Sequence, residues 1–142
     1  MIRNIVFILA FLVTLNVQAA KPLNVVLILV DDLGWMDLSC QGSRYFETPH
    51  IDRLAAEGMR FTNVCCNNSI CSPSRASIIS GQYSHVTGAL NLGCRLKPNA
   101  PSYIRELTNS GYDTCVVGKW HMQQFPRGAG DYAVTVGQGS YF

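Results

Sequence analysis

Residues 23–30, Leu-Asn-Val-Val-Leu-Ile-Leu-Val, form an almost unbroken apolar run that ends abruptly on Asp31-Asp32-Leu33-Gly34. The run is short, does not alternate, and is rich in β-branched residues. That pattern fits a strand buried on both faces of a parallel sheet. Such a strand needs helices above and below it, which directs the chain toward an α/β architecture. Open α/β sheets place their ligands at the carboxyl ends of strands, where Asp31 and Asp32 fall. Two adjacent carboxylates repel each other in a cleft unless a cation offsets them. A hard divalent ion suits oxygen donors best. The ordinary alternative is a solvated Asp-rich turn.

The chain that follows alternates helix and strand signals. Thr48 reads as a cap, Pro49 as a first helical residue and Gly58 as a stop, with Ile51, Leu54 and Ala55 on the apolar face. Residues 59–64 read as a second strand. Residues 82–99 are loop-like, punctuated by Gly88, Gly93 and Pro98. Residues 101–111 repeat the helix signature, with Pro101 early and Gly111 at the stop. Residues 112–117 form a third strand candidate, which exits into Gly118-Lys119-Trp120-His121. Beyond Met122 the sequence is Gly-rich and weakly periodic, with no further element expected. Three strand candidates with intervening helices describe the N-terminal portion of a mostly parallel α/β sheet flanked by helices. Such a sheet would have exposed edges and too little core, so the fold is expected to be incomplete.

Between the second strand candidate and the loop lies Cys71-Ser72-Pro73-Ser74-Arg75, continuing to Ser80-Gly81. Pro73 can occupy the first turn of a short helix, and Gly81 is placed to end it. Cys71 then stands among unpaired backbone N–H groups that favour negative charge. Arg75 is four residues on, and one helical turn brings its guanidinium back beside the cysteine. A reactive sulfur position next to an anion-binding surface is one meaning; a structural cysteine before a buried helix is the other. Lys119 and His121 repeat the logic of Asp31 and Asp32, as polar groups at the exit of an apolar strand. Lysine is a point charge suited to anionic oxygen, and histidine exchanges a proton near neutrality. His50 at a helix start reads as a surface position, and His85 in the loop as a surface or structural histidine, with the cleft beside Cys71 as its alternative.

The 142 residues allow one small domain. The first twenty read as a secretory signal peptide: Arg3, an apolar stretch over residues 5–13, then Val17-Gln18-Ala19. The apolar stretch is too short for a typical bilayer span, so no stable membrane span is expected after cleavage; an uncleaved membrane anchor is the alternative. Residues 21–142 form the remaining domain. Net charge is +2, with no basic run or interleaved aromatics, which argues against a nucleic-acid partner. Six cysteines in an exported chain predict one or two disulfides among Cys40, Cys65, Cys66, Cys94 and Cys115. Their spacing lacks the four-ligand pattern of a structural zinc site. Asn67-Asn68-Ser69 matches an N-glycosylation acceptor, and a coincidental match is the safer view.

The segment from Cys71 to Gly81 resembles the signature of the type I sulfatases, Cys-x-Pro-x-Arg with a later glycine. Three further stretches agree in order. Val30-Asp31-Asp32-Leu33-Gly34 is similar to the family's first metal-binding strand end. Residues 48–61 are similar to its next helix and strand, and Gly118-Lys119-Trp120-His121 to its second active-site segment. The resemblance spans roughly residues 23–122 and implies an alkaline-phosphatase/sulfatase-like fold.

It also implies roles. Cys71 would be oxidised to Cα-formylglycine by a formylglycine-generating enzyme that recognises Pro73 and Arg75. Asp31, Asp32 and the hydrated aldehyde at Cys71 would hold one calcium ion. Arg75 would stabilise the hydrate's charge, Lys119 would bind sulfate oxygens, and His121 would orient or relay a proton. One hydrate oxygen would attack sulfur, and loss of a proton from the second would expel sulfate and restore the aldehyde. A serine or an unmodified cysteine offers no such exit.

The implied reaction is hydrolysis of a sulfate monoester on a sulfated small molecule or polysaccharide. The implied location is exported: secreted, periplasmic or lysosomal according to organism. The family completes its metal site with a later Asp-Asn pair and adds another His and Lys. Asp131 here is followed by Tyr132, and no histidine follows His121. The chain is therefore expected to be a truncated N-terminal part, inactive alone. Two alternatives share these residues: a phosphate or phosphonate monoester hydrolase of the same fold, and a non-catalytic exported binding protein.

Overall fold

The computed structural model describes residues 21–137. The chain divides into two compact units, residues 1–32 and residues 33–142. The signal-peptide expectation for residues 1–20 lies outside the described residues.

In the first unit, residues 21–30 carry no regular secondary structure. The apolar side chains of residues 23–30 are exposed, from 43% at Leu29 to 83% at Val26. The expected doubly buried strand is thus not formed. A strand's N–H and C=O groups need a hydrogen-bonded neighbour, and among the described residues no ladder includes this run.

The second unit opens with a 3-10 turn, Ser39–Gln41, followed by α1, Pro49–Glu57. Helix α1 has the predicted limits, with Pro49 in its first turn and Gly58 at its C-cap. Its caps work differently from expectation. The Thr48 side chain makes no capping bond; its hydroxyl donates to Asp52 Oδ1 at 2.9 Å and accepts from Ser39 N at 3.0 Å. Cys40 N also donates to Asp52 Oδ1, at 2.8 Å, so helix and 3-10 turn are joined through one carboxylate. Desolvation pushes the Asp52 carboxyl up, but hydrogen bonds from Thr48 and the Cys40 backbone outweigh it and hold it below the ordinary range. The predicted apolar face is not buried, since Ile51 and Leu54 remain largely exposed. Residues 59–64 are irregular rather than a strand, with Met59, Phe61 and Val64 exposed.

Helix α2, Cys71–Ser80, is the centre of the unit. Ser72, Pro73, Arg75, Ala76, Ser77, Ile79 and Ser80 are all buried on it, so it is enclosed on most sides. Gly81 ends it at φ 67°, a left-handed cap that glycine adopts without a Cβ clash. A short helix α3, Ser84–Thr87, falls inside the segment expected to be loop, and Ser77 Oγ meets Ser84 Oγ at 3.3 Å. Helix α4, Tyr103–Asn109, follows Pro101 and is capped by Ser102, whose hydroxyl accepts from Arg105 N at 3.5 Å.

Strand β1, Cys115–Lys119, runs parallel to β2, Asp131–Thr135, with Cys115 opposite Asp131 and Lys119 opposite Thr135. Strand β2 was not expected. Its Tyr-Ala-Val-Thr core is short and preceded by glycines, and only its partner makes it a strand. The core joins Ala76 and Ile79 of α2 to Ala89, Leu96, Ile104 of α4, and Trp120 and Met122 beyond β1. Helices therefore pack around a small parallel sheet, the expected α/β class. None of the six cysteines is in a disulfide. The expected bridges are not formed: Cys40, Cys65, Cys66, Cys94 and Cys115 are all free thiols, so no pair of them has the short Cβ–Cβ approach that a bridge requires. Among the described residues, no helix is long and apolar enough to cross a membrane.

Candidate active site

Cys71 is the first residue of α2 and is half-buried. Asn68 fixes the approach to the helix, its side-chain Oδ1 accepting from Ile70 N at 2.8 Å. Pro73, in the first turn, costs no hydrogen bond there because that N–H would have no helical partner. The unpaired N–H groups of this turn give the Cys71 position a partial positive surrounding.

Arg75 lies one turn deeper and is 9% exposed. Its Nη1 donates to the carbonyl of Lys119, the last residue of β1, at 2.5 Å. Ser72 makes the parallel connection: its hydroxyl donates to the carbonyl of His121 at 2.6 Å. Two successive side-chain bonds therefore tie the start of α2 to the segment leaving β1. That segment turns sharply, with His121 at φ 57° and 6% exposed. Trp120 N and His121 N both donate to Thr135 O, at 3.1 and 3.3 Å, so the end of β2 braces the turn. Trp120 is buried, and its indole Nε1 has no hydrogen-bond partner among the described residues.

The loop before Leu96 closes the other side. Gly93 N donates to Ser72 Oγ at 3.4 Å, and Gln123 N donates to Cys94 O at 3.2 Å. Cys94 is half-buried. Burial pushes its thiol up, and the nearby Cys71 adds to the rise by like-charge repulsion.

Of the residues expected to carry chemistry, Cys71, Arg75, Lys119 and His121 belong to elements that are hydrogen-bonded together. Asp31 and Asp32 lie at the end of the first unit. Asp31 is half-buried, and Asp32 is exposed with φ 56°. Among the described residues, no group of three or more His, Cys, Asp or Glu side chains is arranged to hold a metal. Calcium takes about six to eight oxygens, so the Asp pair matches it in donor type and falls short in number. His50 and His85 are exposed as expected, His85 stacking on Tyr83 with ring centroids 5.7 Å apart. Sequence reasoning missed Ser72. A serine in a helix's first turn carries no signal that its hydroxyl will reach a carbonyl 49 residues away.

A family model described as Sulfatase matches residues 23–140. The chain belongs to the sulfatase family. Among curated proteins, this sulfatase chain is 32% identical over 128 residues to the N-acetylglucosamine-6-O-sulfatase of Bacteroides thetaiotaomicron, covering 88% of this chain and 23% of that protein. It is 38% identical over 125 residues to the steryl-sulfatase of Mus musculus, covering 80% and 20% respectively. A solved structure of a protein in complex with its substrate D-glucosamine-2-N,6-O-disulfate superposes at a TM-score of 0.72 with 34% identity. That match covers 76% of this chain and 22% of the other. The sulfatase chain thus spans about a quarter or less of the length of these relatives.

Proposed function

We propose that this chain supplies the nucleophile-bearing part of an exported enzyme that hydrolyses sulfate monoesters on carbohydrates. One observation carries most weight: Arg75 and Ser72 of α2 bond to the carbonyls of Lys119 and His121, so the Cys71 helix and the Lys119-Trp120-His121 turn are hydrogen-bonded to each other. Preorganised positive groups around a transferring sulfuryl group are what such a reaction requires, because charge shifts as the ester bond breaks.

Cys71, converted to formylglycine by a formylglycine-generating enzyme, provides the attacking oxygen. Asp31, Asp32 and the modified Cys71 are the residues that would hold calcium, which would supply Lewis acidity and offset sulfate charge. Lys119 binds sulfate oxygens through its ammonium. His121, held at the turn by its backbone bonds, orients the modified residue and moves a proton to or from its hydroxyl. Arg75 stabilises negative charge at the start of α2. The carbohydrate assignment is supported by the sugar named for the Bacteroides relative and by the sulfated glucosamine in the superposed complex. Two carboxylates and one modified residue would leave calcium under-ligated, so the 142-residue chain alone does not turn over.

Two measurements test this. A peptide spanning Cys71 from exported protein should be lighter than the unmodified peptide by about 18 Da, and position 71 should lack thiol reactivity. A preparation containing only thiol would remove the proposed nucleophile. The chain should release no sulfate from an N-acetylglucosamine 6-sulfate ester in the presence of calcium. Extending the reading frame to the relatives' length should restore release, with the phosphate analogue turning over more slowly. Steady hydrolysis by the short chain, or faster hydrolysis of the phosphate, would overturn the assignment.

A further inference from the structure

A shallow cleft opens between α2, α4 and the turn after β1, with about 310 Å³ of empty space, open solvent included. Its apolar wall is formed by Ile79 of α2, Leu96 and Trp120, and three cations, Lys97, Arg105 and Arg127, also line it. No acidic side chain lines it. Arg105 is partly engaged, its Nη2 donating to Ala100 O at 3.0 Å and its Nε lying 3.6 Å from Glu106. Lys97 and Arg127 are exposed and make no ion pair among the described residues.

The cations stand on fixed backbone. Lys97 O accepts from Ala100 N at 3.0 Å, closing a turn. Gly128, next to Arg127, sits so close to α4 that an added Cβ would lie 2.7 Å from Arg105 Cβ, and its carbonyl accepts from Thr108 Oγ1 at 2.6 Å. Three like charges gathered around one cavity repel each other, and an oxyanion entering it would relieve that repulsion. The planar guanidinium groups of Arg105 and Arg127 match the oxygens of a sulfate or carboxylate. Trp120 contributes to the wall while its buried indole N–H has no hydrogen-bond partner among the described residues.

The cavity shares both of its framing elements with the candidate site. Ile79 is eight residues along α2 from Cys71, about 12 Å at the usual helical rise. Trp120 lies between Lys119 and His121. We propose that this cavity is an accessory anion subsite, which holds a sulfate or carboxylate on a sugar neighbouring the one at Cys71. This rests on the carbohydrate reading above, and it makes the protein a reader of charged oligosaccharides rather than of single sugar esters.

The test uses the full chain and a tetrasaccharide bearing both sulfates and uronic acids, with the Trp120 indole N–H followed by NMR. The chain has two tryptophans, so Trp35→Phe assigns the signal. The tetrasaccharide should shift the Trp120 resonance. The double variant Lys97→Gln with Arg127→Gln should weaken binding about tenfold or more, because it removes two charge-assisted contacts at exposed positions. Desulfated and carboxyl-reduced tetrasaccharides show which oxyanion is held: loss of binding with either one supports the subsite and names the group. Equal binding by wild type and double variant, or by a tetrasaccharide lacking both groups, overturns it. Failure of sulfate release in the extended enzyme with this binding intact would overturn the hydrolase reading alone.

Discussion

Arg75 Nη1 donates to the carbonyl of Lys119 across 44 residues of chain, joining the helix that begins at Cys71 to the end of β1. The guanidinium is almost fully buried, so this bond acts structurally as well as electrostatically. A residue implied by family resemblance to face the reaction also holds the start of α2 to the end of β1. Its loss would therefore move stability and chemistry at once.

Replacing Arg75 with Met keeps most of the volume and removes the donor. The Lys119 carbonyl then loses its side-chain partner, which costs about 1–3 kcal/mol. Urea denaturation of Arg75→Met should show an unfolding free energy lower by that amount, read as a lower midpoint at unchanged slope. An unchanged midpoint would mean that the bond contributes nothing net.

Ser72 offers a smaller and cleaner case. Its side chain is fully buried and donates to His121 O at 2.6 Å. Ser72→Ala should destabilise by about 1–2 kcal/mol. Combined with Arg75→Met, the loss should differ from the sum of the two, because both bonds hold the same turn. A double-mutant cycle in urea reads the coupling, and strict additivity would show that the two anchors act independently.

Cysteine reactivity should sort by position. Cys65, Cys66 and Cys115 are exposed, whereas burial and the neighbouring Cys71 raise the Cys94 pKa. Less Cys94 is thiolate at a given pH, so iodoacetamide at mildly alkaline pH should modify the exposed three first. Cys71→Ser removes the like-charge contribution and should speed Cys94 alkylation, as followed by peptide mapping. The linkage has a definite sign. A thiol whose pKa is raised by folding ionises first in the unfolded chain, so its contribution to stability is present below the unfolded pKa and fades as pH rises above it, from about pH 8.5.

Two glycines separate backbone strain from steric exclusion. An alanine Cβ at Gly81 meets nothing within 4 Å, so Gly81→Ala pays only for the left-handed φ of 67°, about 1–2 kcal/mol. At Gly128, φ is 83° and the added Cβ would lie 2.9 Å from Arg105 Cα, so backbone must move as well. Thermal denaturation should rank Gly128→Ala as clearly the more damaging. The reverse order would mean that α4 yields easily at this contact.

Much of the second unit's helical plan was legible in order. Thr48, Pro49 and Gly58 bounded α1, Pro73 and Gly81 marked α2, and Pro101 with Gly111 framed α4 within a few residues. Helices are legible because their backbone bonds close within four residues, so caps and stops are written locally. Cys71, Arg75, Lys119 and His121 were singled out by spacing and motif, and the structure joins the elements that carry them.

Strands were not, because each depends on a partner far along the chain. The β-branched run at 23–30 has the composition of a buried strand and forms no ladder among the described residues, whereas the plainer segment Asp131–Thr135 becomes one by pairing with β1. Tertiary structure alone decided that Ser72 reaches His121, that the cysteines remain unpaired, and that Lys97, Arg105 and Arg127 line one cavity. The sequence by itself determined which chemical groups the chain carries and where its helices begin and end. Which of those groups meet was settled by contacts between residues distant in sequence, whose formation depends on the packing of the whole unit.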